Sequence, residues 1–286
     1  MQDEKLKGKF DYSVSLLCWA YNEELNIYEY LEKAASLLNS AVNDYEIVLI
    51  DDGSTDGTFD IAAKFQKTNP RLNIFKNERN LNVGVSIPRA ISLASKDYLF
   101  WQTVDWSYDI SNLRRFLEYL REYDVVQGVR RRPVAVKAET LKPIAGLMKL
   151  LGMKHLTKRS DTVRKAVISV VNYVVIRTLF RVPVSDFQNV TFYPTKWLQT
   201  ITHEAKSAFA NPECLIKAYW QGKSIKEVPI SFIPRSKGKG RGTRYTAVFS
   251  AIKDILRLWF VWVVLGKRGV VTKGKVYRLA PKESQV

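Results

Sequence analysis

A short apolar run, Ile47-Val48-Leu49-Ile50, ends in two adjacent carboxylates and a turn-rich stretch, so that Glu46–Thr58 reads EIVLIDDGSTDGT. A continuous apolar run of this length fits a parallel strand buried on both faces. It delivers Asp51 and Asp52 to the strand's carboxyl end, the edge at which open α/β sheets bind ligands. Two adjacent acids are costly to bury there unless something uses them. Hydrogen-bond donors on a ribose or base, or a cation on phosphates, are one use; capping the next helix is another. Asp56 fits the capping use, because Phe59, Ile61, Ala62, Ala63 and Phe65 follow at mixed helical spacing.

The preceding segment has the same form. Val14–Cys18 is a second short apolar strand, followed by the polar loop Tyr21-Asn22-Glu23-Glu24. A helix is expected from about Leu25 to Leu38, with Ile27, Tyr30, Leu31, Ala34, Leu37 and Leu38 on one face. The order strand, loop, helix, strand, acidic loop, helix is the first βαβ unit of a nucleotide-binding half. A third strand at Leu72–Phe75 and a helix from about Ile87 to Ala94 continue it, with Pro88 suited to a first helical turn. Next come a β-rich run over 97–102, the acidic loop Thr103–Asp109, a helix over Ile110–Tyr123 and a strand over Asp124–Val129 that leads into Arg130.

The Tyr-Asn-Glu loop paired with Asp-Asp-Gly-Ser-Thr-Asp-Gly-Thr resembles family-2 glycosyltransferases of the GT-A fold, over roughly Ser13–Trp259. Within them the chain looks most like the polyprenyl-phosphate branch, similar to dolichol-phosphate mannose synthases. The resemblance implies an α/β, Rossmann-like core with a mostly parallel sheet flanked by helices, and amphipathic helices at a membrane interface. It implies a GT-A domain over 1–246 with a helical insertion at 133–182, then an amphipathic basic tail over 247–286. It places a nucleotide-sugar donor on Tyr21, Asn22, Glu23, Asp51, Asp52, Gly84, Arg89, Thr103 and Asp105. In the family the fourth strand ends in Asp-x-Asp, which holds Mg²⁺ or Mn²⁺ on the donor's diphosphate. Residues i and i+2 of an extended segment point the same way, so two carboxylates can share one cation. Here Thr103 replaces the first acid and leaves Asp105 as the metal carboxylate. Thr103 holding a metal-bound water, Asp109 supplying a second carboxylate, and a metal-light site neutralised by Lys and Arg all remain open.

The acceptor half carries the narrower resemblance. Arg130 matches the family's Gly-x-Arg strand end and is expected at the acceptor's phosphate, for which the planar fork of Arg is suited. Asp186 and Gln188 match a looser Asp-containing motif, which makes Asp186, with Asp105 and Arg130, a candidate at the reaction centre. Helix, Gly222, then a strand with Glu227-Val228-Pro229 leads to the loop Pro234–Arg244, where glycines alternate with cations. Close backbone approach and positive charge suit a phosphate. Arg235, Lys237 and Arg241 are therefore expected to bind the acceptor phosphate. With a hydroxyl acceptor instead, Asp186 is the candidate base.

Net charge is +17, concentrated in Arg130–Arg132, Lys137–Lys165 and Arg235–Arg244. A chain this basic meets a polyanion or an anionic membrane. No RNA-recognition aromatic pair, zinc-finger spacing or basic heptad arm is present, so nucleic acid is not the expected partner. Apolar stripes with cationic margins at 141–151 and 166–182, and Val248–Phe260 bordered by Lys253, Arg257, Lys267 and Arg268, fit either interface helices or helices docked on the core. The two cysteines are far apart, the N-terminal MQDEKLKGKFDYS lacks an apolar stretch, and the longest tail run, Leu258–Leu265, is eight residues against the roughly 20 needed to span a bilayer. A cytoplasmic enzyme, peripheral at the inner face of the membrane, is the expectation, with a membrane-protein partner on the tail left open.

Overall fold

The computed structural model describes residues 9–132, 163–187, 189–231, 233, 235, 237, 245–269 and 271–278. Its elements run β1 (Val14–Ala20), α1 (Ile27–Ala41), β2 (Tyr45–Asp51), α2 (Thr58–Gln66), β3 (Leu72–Lys76), α3 (Val83–Leu93), β4 (Tyr98–Trp101), α4 (Leu113–Tyr119), β5 (Val125–Arg132), α5 (Val163–Phe180), β6 (Thr191–Pro194), α6 (Thr195–Thr200), α7 (Ala210–Trp220), β7 (Ser224–Ser231), α8 (Tyr245–Trp259) and β8 (Lys275–Arg278). A π-helical turn, Phe260–Val264, extends α8.

One eight-stranded sheet orders these strands β3-β2-β1-β4-β6-β5-β7-β8. Strands β3, β2, β1 and β4 are mutually parallel, and β6 runs antiparallel between β4 and β5. Beyond it β5, β7 and β8 are parallel again. This is the expected α/β architecture with a mostly parallel sheet. Alternation along each strand splits the core in two. Leu16 and Cys18 of β1 and Ile47 and Leu49 of β2 pack with α1 and α4 on one face. Leu17, Val48 and Ile50 pack on the other with Ile87 and Ala90 of α3, Phe180 of α5, and Ile255, Leu258 and Trp262 of the C-terminal helix. Both faces are covered, which is why β1, β2 and β4 read as near-continuous apolar runs.

Several boundaries differ from the sequence reading. Helix α3 opens at Val83, so Pro88 lies inside it rather than in its first turn. The helix expected over 110–123 is the shorter α4. Strand β8 was not foreseen. It is a short edge strand, half of it cationic, and pairs with β7 from Ser224↔Lys275 to Glu227↔Arg278. The amphipathic segment expected around 141–151 lies outside the described residues. The second, α5, sends Ile176 and Phe180 into the core and leaves Val171 exposed.

Candidate active site

Strands β1, β2 and β4 present their carboxyl ends along one edge of the sheet. At the end of β2 the chain reverses through Gly53, at φ +74°, where a Cβ would lie 2.4 Å from the Arg79 carbonyl carbon. Only glycine fits there. The turn leaves Asp51 fully buried. Its Oδ1 accepts from the Ser54 amide at 3.2 Å. Its Oδ2 has no hydrogen-bond donor, although Lys76 Nζ stands 3.9 Å away. Leaving a buried acceptor unsatisfied costs about 1–3 kcal/mol and more for a charged group. An incoming N–H or O–H at this edge would relieve that cost.

Asp52 is engaged by the loop that follows β3. Its oxygens accept from Asn77 Nδ2 at 2.6 Å, the Leu81 amide at 3.0 Å and the Asn82 amide at 3.0 Å. It spends these lone pairs on the 77–82 loop. Arg89 likewise donates to the Lys76 carbonyl at 3.2 Å and to Asn77 Oδ1. Both residues hold the 77–82 loop in place beside the end of β2. Gly84 is explained by packing, because a Cβ would meet the Lys206 carbonyl carbon at 2.1 Å.

The β1–α1 loop is fastened to the turn after β2. Asn22, at φ +53°, accepts from the Thr55 amide at 2.8 Å and donates its own amide to Ser54 Oγ at 3.0 Å. The Glu23 amide donates to Thr58 Oγ1 at 2.8 Å. The N-cap of α2 is Gly57 rather than the expected Asp56, which lies one residue earlier and accepts from the Thr58 and Glu24 amides, tying the helix start to this loop. Tyr21 sits half-buried on the same loop.

The loop after β4 supplies the third wall. Thr103 Oγ1 accepts from the Ser107 amide at 3.2 Å, and Ser107 Oγ donates to Asp105 Oδ1 at 2.6 Å. Arg235 then bridges two acids: its Nε meets Asp105 Oδ2 at 3.0 Å and its Nη2 meets Glu23 Oε1 at 2.5 Å. All three side chains are only 16–18% exposed. Burial alone would raise the Asp105 pKa, but hydrogen bonds from Ser107, Thr103 and Arg235 hold it below the usual carboxylate range. Burial would lower Arg235, and Glu23 and Asp105 more than offset that. Arg235, assigned to the acceptor from sequence, therefore stands among the donor-side acids.

Asp109 Oδ1 accepts from the amide and hydroxyl of Ser111 at 3.1 and 2.7 Å, which commits that oxygen to the start of the next turn. Among the described residues no three His, Cys, Asp or Glu side chains gather around a cation site. In the loop after β4 the donor set is the Asp105 carboxylate with the Thr103 hydroxyl beside it. That donor set suits a cation carried in on a diphosphate, because Mg²⁺ is commonly held by one or two carboxylates plus substrate phosphates. The Arg235 guanidinium already against Asp105 Oδ2 shows that this position attracts positive charge.

Further along the same edge, Arg130 and Asp186 form a buried bidentate pair, Nε–Oδ2 2.8 Å and Nη2–Oδ1 2.9 Å. Asn189 Nδ2 also donates to Asp186 Oδ2 at 2.9 Å, and Gln127 donates to the Asp186 carbonyl. Burial would lower the Arg130 pKa, but Asp186 raises it. The fork expected to grip a phosphate is thus committed to Asp186, and Asp186 is held as a carboxylate partner rather than left as a free base. Tyr108, missed in the sequence, lies half-buried within electrostatic reach of Asp105, Arg130 and Asp186. Its pKa is pushed up to about 12, by burial first and then by the two acids against Arg130. Lys237 pairs with Glu29 on α1 at 3.0 Å, both exposed. Gln188 and Arg241 lie outside the described residues.

Comparison with known proteins places this geometry. Residues 15–181, more than half of the chain, match the family described as Glycosyl transferase family 2. EpsE of Bacillus subtilis (strain 168), named as a glycosyltransferase, is 34% identical over 120 residues, covering 40% of this chain and 41% of EpsE. The glycosyltransferase AglD of Haloferax volcanii is 28% identical over 152 residues, covering 52% of this chain and 24% of AglD. The matches thus span less than half the length of these relatives. Glucosyl-3-phosphoglycerate synthase from Mycobacterium tuberculosis, solved with Mn²⁺, UDP and glucosyl-3-phosphoglycerate, superposes with a TM-score of 0.52 over 91% of this chain and 81% of its own, at 13% identity. Mannosyl-3-phosphoglycerate synthase from Rubrobacter xylanophilus gives 0.54 over 90% and 75%, also at 13% identity. Identities this low speak to the fold, and the fold is GT-A. The chain belongs to glycosyl transferase family 2.

Proposed function

We propose that this chain is a glycosyltransferase that moves a sugar, with inversion, from a nucleotide-sugar donor to a polyprenyl phosphate at an anionic membrane surface. The observation that carries the donor half is the buried, donorless Oδ2 of Asp51 on the same sheet edge as the Asp105 carboxylate. On this reading Asp51 accepts a hydrogen bond from the nucleoside, and Tyr21 and Asn22 flank it. Asp105, with Thr103, would hold Mg²⁺ or Mn²⁺. The bound cation would offset the charge of the departing diphosphate. A phosphate acceptor is already anionic at neutral pH, so it needs positioning more than a strong base. This agrees with Asp186 being tied to Arg130 instead of standing free.

The lipid half of the reading rests on α8. Ile255, Leu258 and Trp262 face the core. Tyr245, Phe249, Ile252, Leu256 and Phe260 form an exposed stripe at helical spacing, with Tyr245 80% and Phe249 70% exposed. Lys253, Arg257, Lys267 and Arg268 lie on and beyond the same helix, exposed. An apolar stripe with cations is the pattern of an interfacial helix. No helix among the described residues is long and apolar enough to cross a membrane.

A second reading keeps the phosphate but changes its carrier. The two solved neighbours are named for phosphoglycerate acceptors, so a small soluble phosphate ester is the alternative. A donor screen with product mass decides between them. A glycosyl polyprenyl phosphate is expected; transfer to soluble phosphate esters alone would overturn the lipid acceptor.

A further inference from the structure

The three-way contact of Arg235 with Glu23 and Asp105 joins segments that are far apart in sequence: Arg235 is 130 residues from Asp105 and 212 from Glu23. It brings Arg235, which follows β7, to the acids at the carboxyl ends of β1 and β4. Among the described residues Arg235 is the cation paired with either acid. It is also positioned from nearby backbone. The Ile233 amide donates to the Ser107 carbonyl at 2.8 Å, and the Asp109 amide donates to the Ser231 carbonyl at 3.0 Å. The chain carrying Arg235 is therefore pinned against the very loop that holds Asp105.

Two carboxylates at one sheet edge repel each other, and a guanidinium fork neutralises both at once. That arrangement conflicts with a loaded site. Asp105 Oδ2 cannot present the same lone pair to Arg235 Nε and to a divalent cation. A divalent cation that takes the Oδ2 lone pair now facing Arg235 Nε displaces the arginine, and the repulsion between the two positive charges acts in the same direction. Because Ser231 and Ile233 are anchored to Asp109 and Ser107, a displaced Arg235 stays within a side chain's reach of the site, where its charge is free for an anion.

Building on the reading of Asp105 as the carboxylate for a donor-borne cation, we propose that Arg235 is a tethered counter-ion. In the ligand-free protein it neutralises Glu23 and Asp105. Arrival of a nucleoside diphosphate with its divalent cation displaces it from Asp105 and frees it for the acceptor's phosphate, so that donor binding completes the acceptor site. Arg235 is a positioning residue in the first state and an acceptor contact in the second. This accounts for a cation that its loop assigns to the acceptor and its contacts assign to the donor. By linkage, the acceptor anion must strengthen donor binding by the same factor.

The test uses the full chain with Mn²⁺, Mg²⁺, UDP and inorganic phosphate as probes. Free Mn²⁺ measured by electron paramagnetic resonance in the presence of UDP gives the cation affinity of the wild type, Arg235→Gln and Arg235→Lys. The expected result is about tenfold tighter Mn²⁺ binding in Arg235→Gln and an intermediate value in Arg235→Lys. Calorimetry of inorganic phosphate should show tighter binding when Mg²⁺ and UDP saturate the wild type, with that gain lost in Arg235→Gln. Weaker Mn²⁺ binding in Arg235→Gln would make Arg235 a direct donor ligand and overturn the proposal. Unchanged binding in both experiments would reduce it to a static ion pair, with the same consequence. Asp105→Asn separates the two levels. If Mn²⁺ and UDP bind the wild type and Asp105→Asn equally, the donor-site reading itself fails; if binding depends on Asp105 but not on Arg235, only the counter-ion proposal fails. Thermal denaturation of each variant confirms that it is folded, and Arg235→Lys keeps the charge should Arg235→Gln fail to fold.

Discussion

Arg130 and Asp186 face each other through two parallel hydrogen bonds, with side chains only 10% and 3% exposed. A buried bidentate pair resists loss of one partner more than loss of both, because a lone charge is left in a low-dielectric setting. Arg130→Ala should therefore destabilise the fold by roughly 3–5 kcal/mol, read by urea denaturation. The double variant with Asp186→Ala should recover part of that loss. A normal unfolding midpoint for Arg130→Ala, with only acceptor kinetics impaired, would return Arg130 to the phosphate-binding role its sequence motif suggests.

Gly84 lets α3 lie against the backbone at Lys206, and a methyl group there would sit 2.1 Å from a carbonyl carbon. Gly84→Ala should cost about 1–3 kcal/mol, the usual penalty of overpacking. Nucleotide affinity of the remaining folded protein should be unchanged. A variant of normal stability that loses nucleotide binding would show that Gly84 touches the ligand instead.

The depressed pKa of Asp105 makes a signed prediction. A carboxylate whose folded pKa lies below its unfolded value, about 3.9, stabilises the fold above that value. Its contribution is lost as pH falls through the lower folded pKa. Burial opposes this shift, while Ser107, Thr103 and Arg235 produce it. Urea-denaturation free energies from neutral pH into the acid range should thus fall less steeply for Asp105→Asn than for the wild type. An identical acid slope for the two proteins would mean that the pairing with Arg235 does not persist in solution.

Strands β1, β2 and β4 were legible because burial on both faces writes near-continuous apolar runs into the sequence. The carboxyl-end acids were legible for the same reason: they stand where such a run stops. Strand β8 left no comparable signal, since Lys275-Val276-Tyr277-Arg278 is a mostly exposed edge segment. Asp51 and Asp52 are adjacent and chemically identical, and local pattern could not tell the buried oxygen without a donor from the loop clasp. What divides them is the set of amides at 81 and 82, some 30 residues away. Arg235 was placed by its own glycine- and cation-rich loop, whereas its partners lie on loops of the first half of the chain. Contacts of that span follow from topology rather than from spacing.

The exposed stripe on α8 predicts membrane behaviour. The protein should sediment with anionic liposomes and release as salt is raised, each basic residue near the surface contributing about 1 kcal/mol. Phe249→Asp combined with Phe260→Asp should weaken this binding without moving the thermal midpoint, as both side chains are solvent-exposed. Equal binding of the wild type to neutral and anionic vesicles would remove the electrostatic part of the account.

On the proposed reading, the carboxyl edge of β2 and β4 receives a nucleoside diphosphate. The most direct measurement is calorimetric titration of the full chain with UDP, GDP and the other common nucleoside diphosphates in the presence of Mn²⁺, repeated on Asp51→Asn. The account predicts saturable binding of one of them and a loss of roughly tenfold or more in Asp51→Asn, the usual consequence of removing one charged hydrogen-bond partner. A folded wild-type protein that binds none of them, or an Asp51→Asn variant that binds with undiminished affinity, would contradict it.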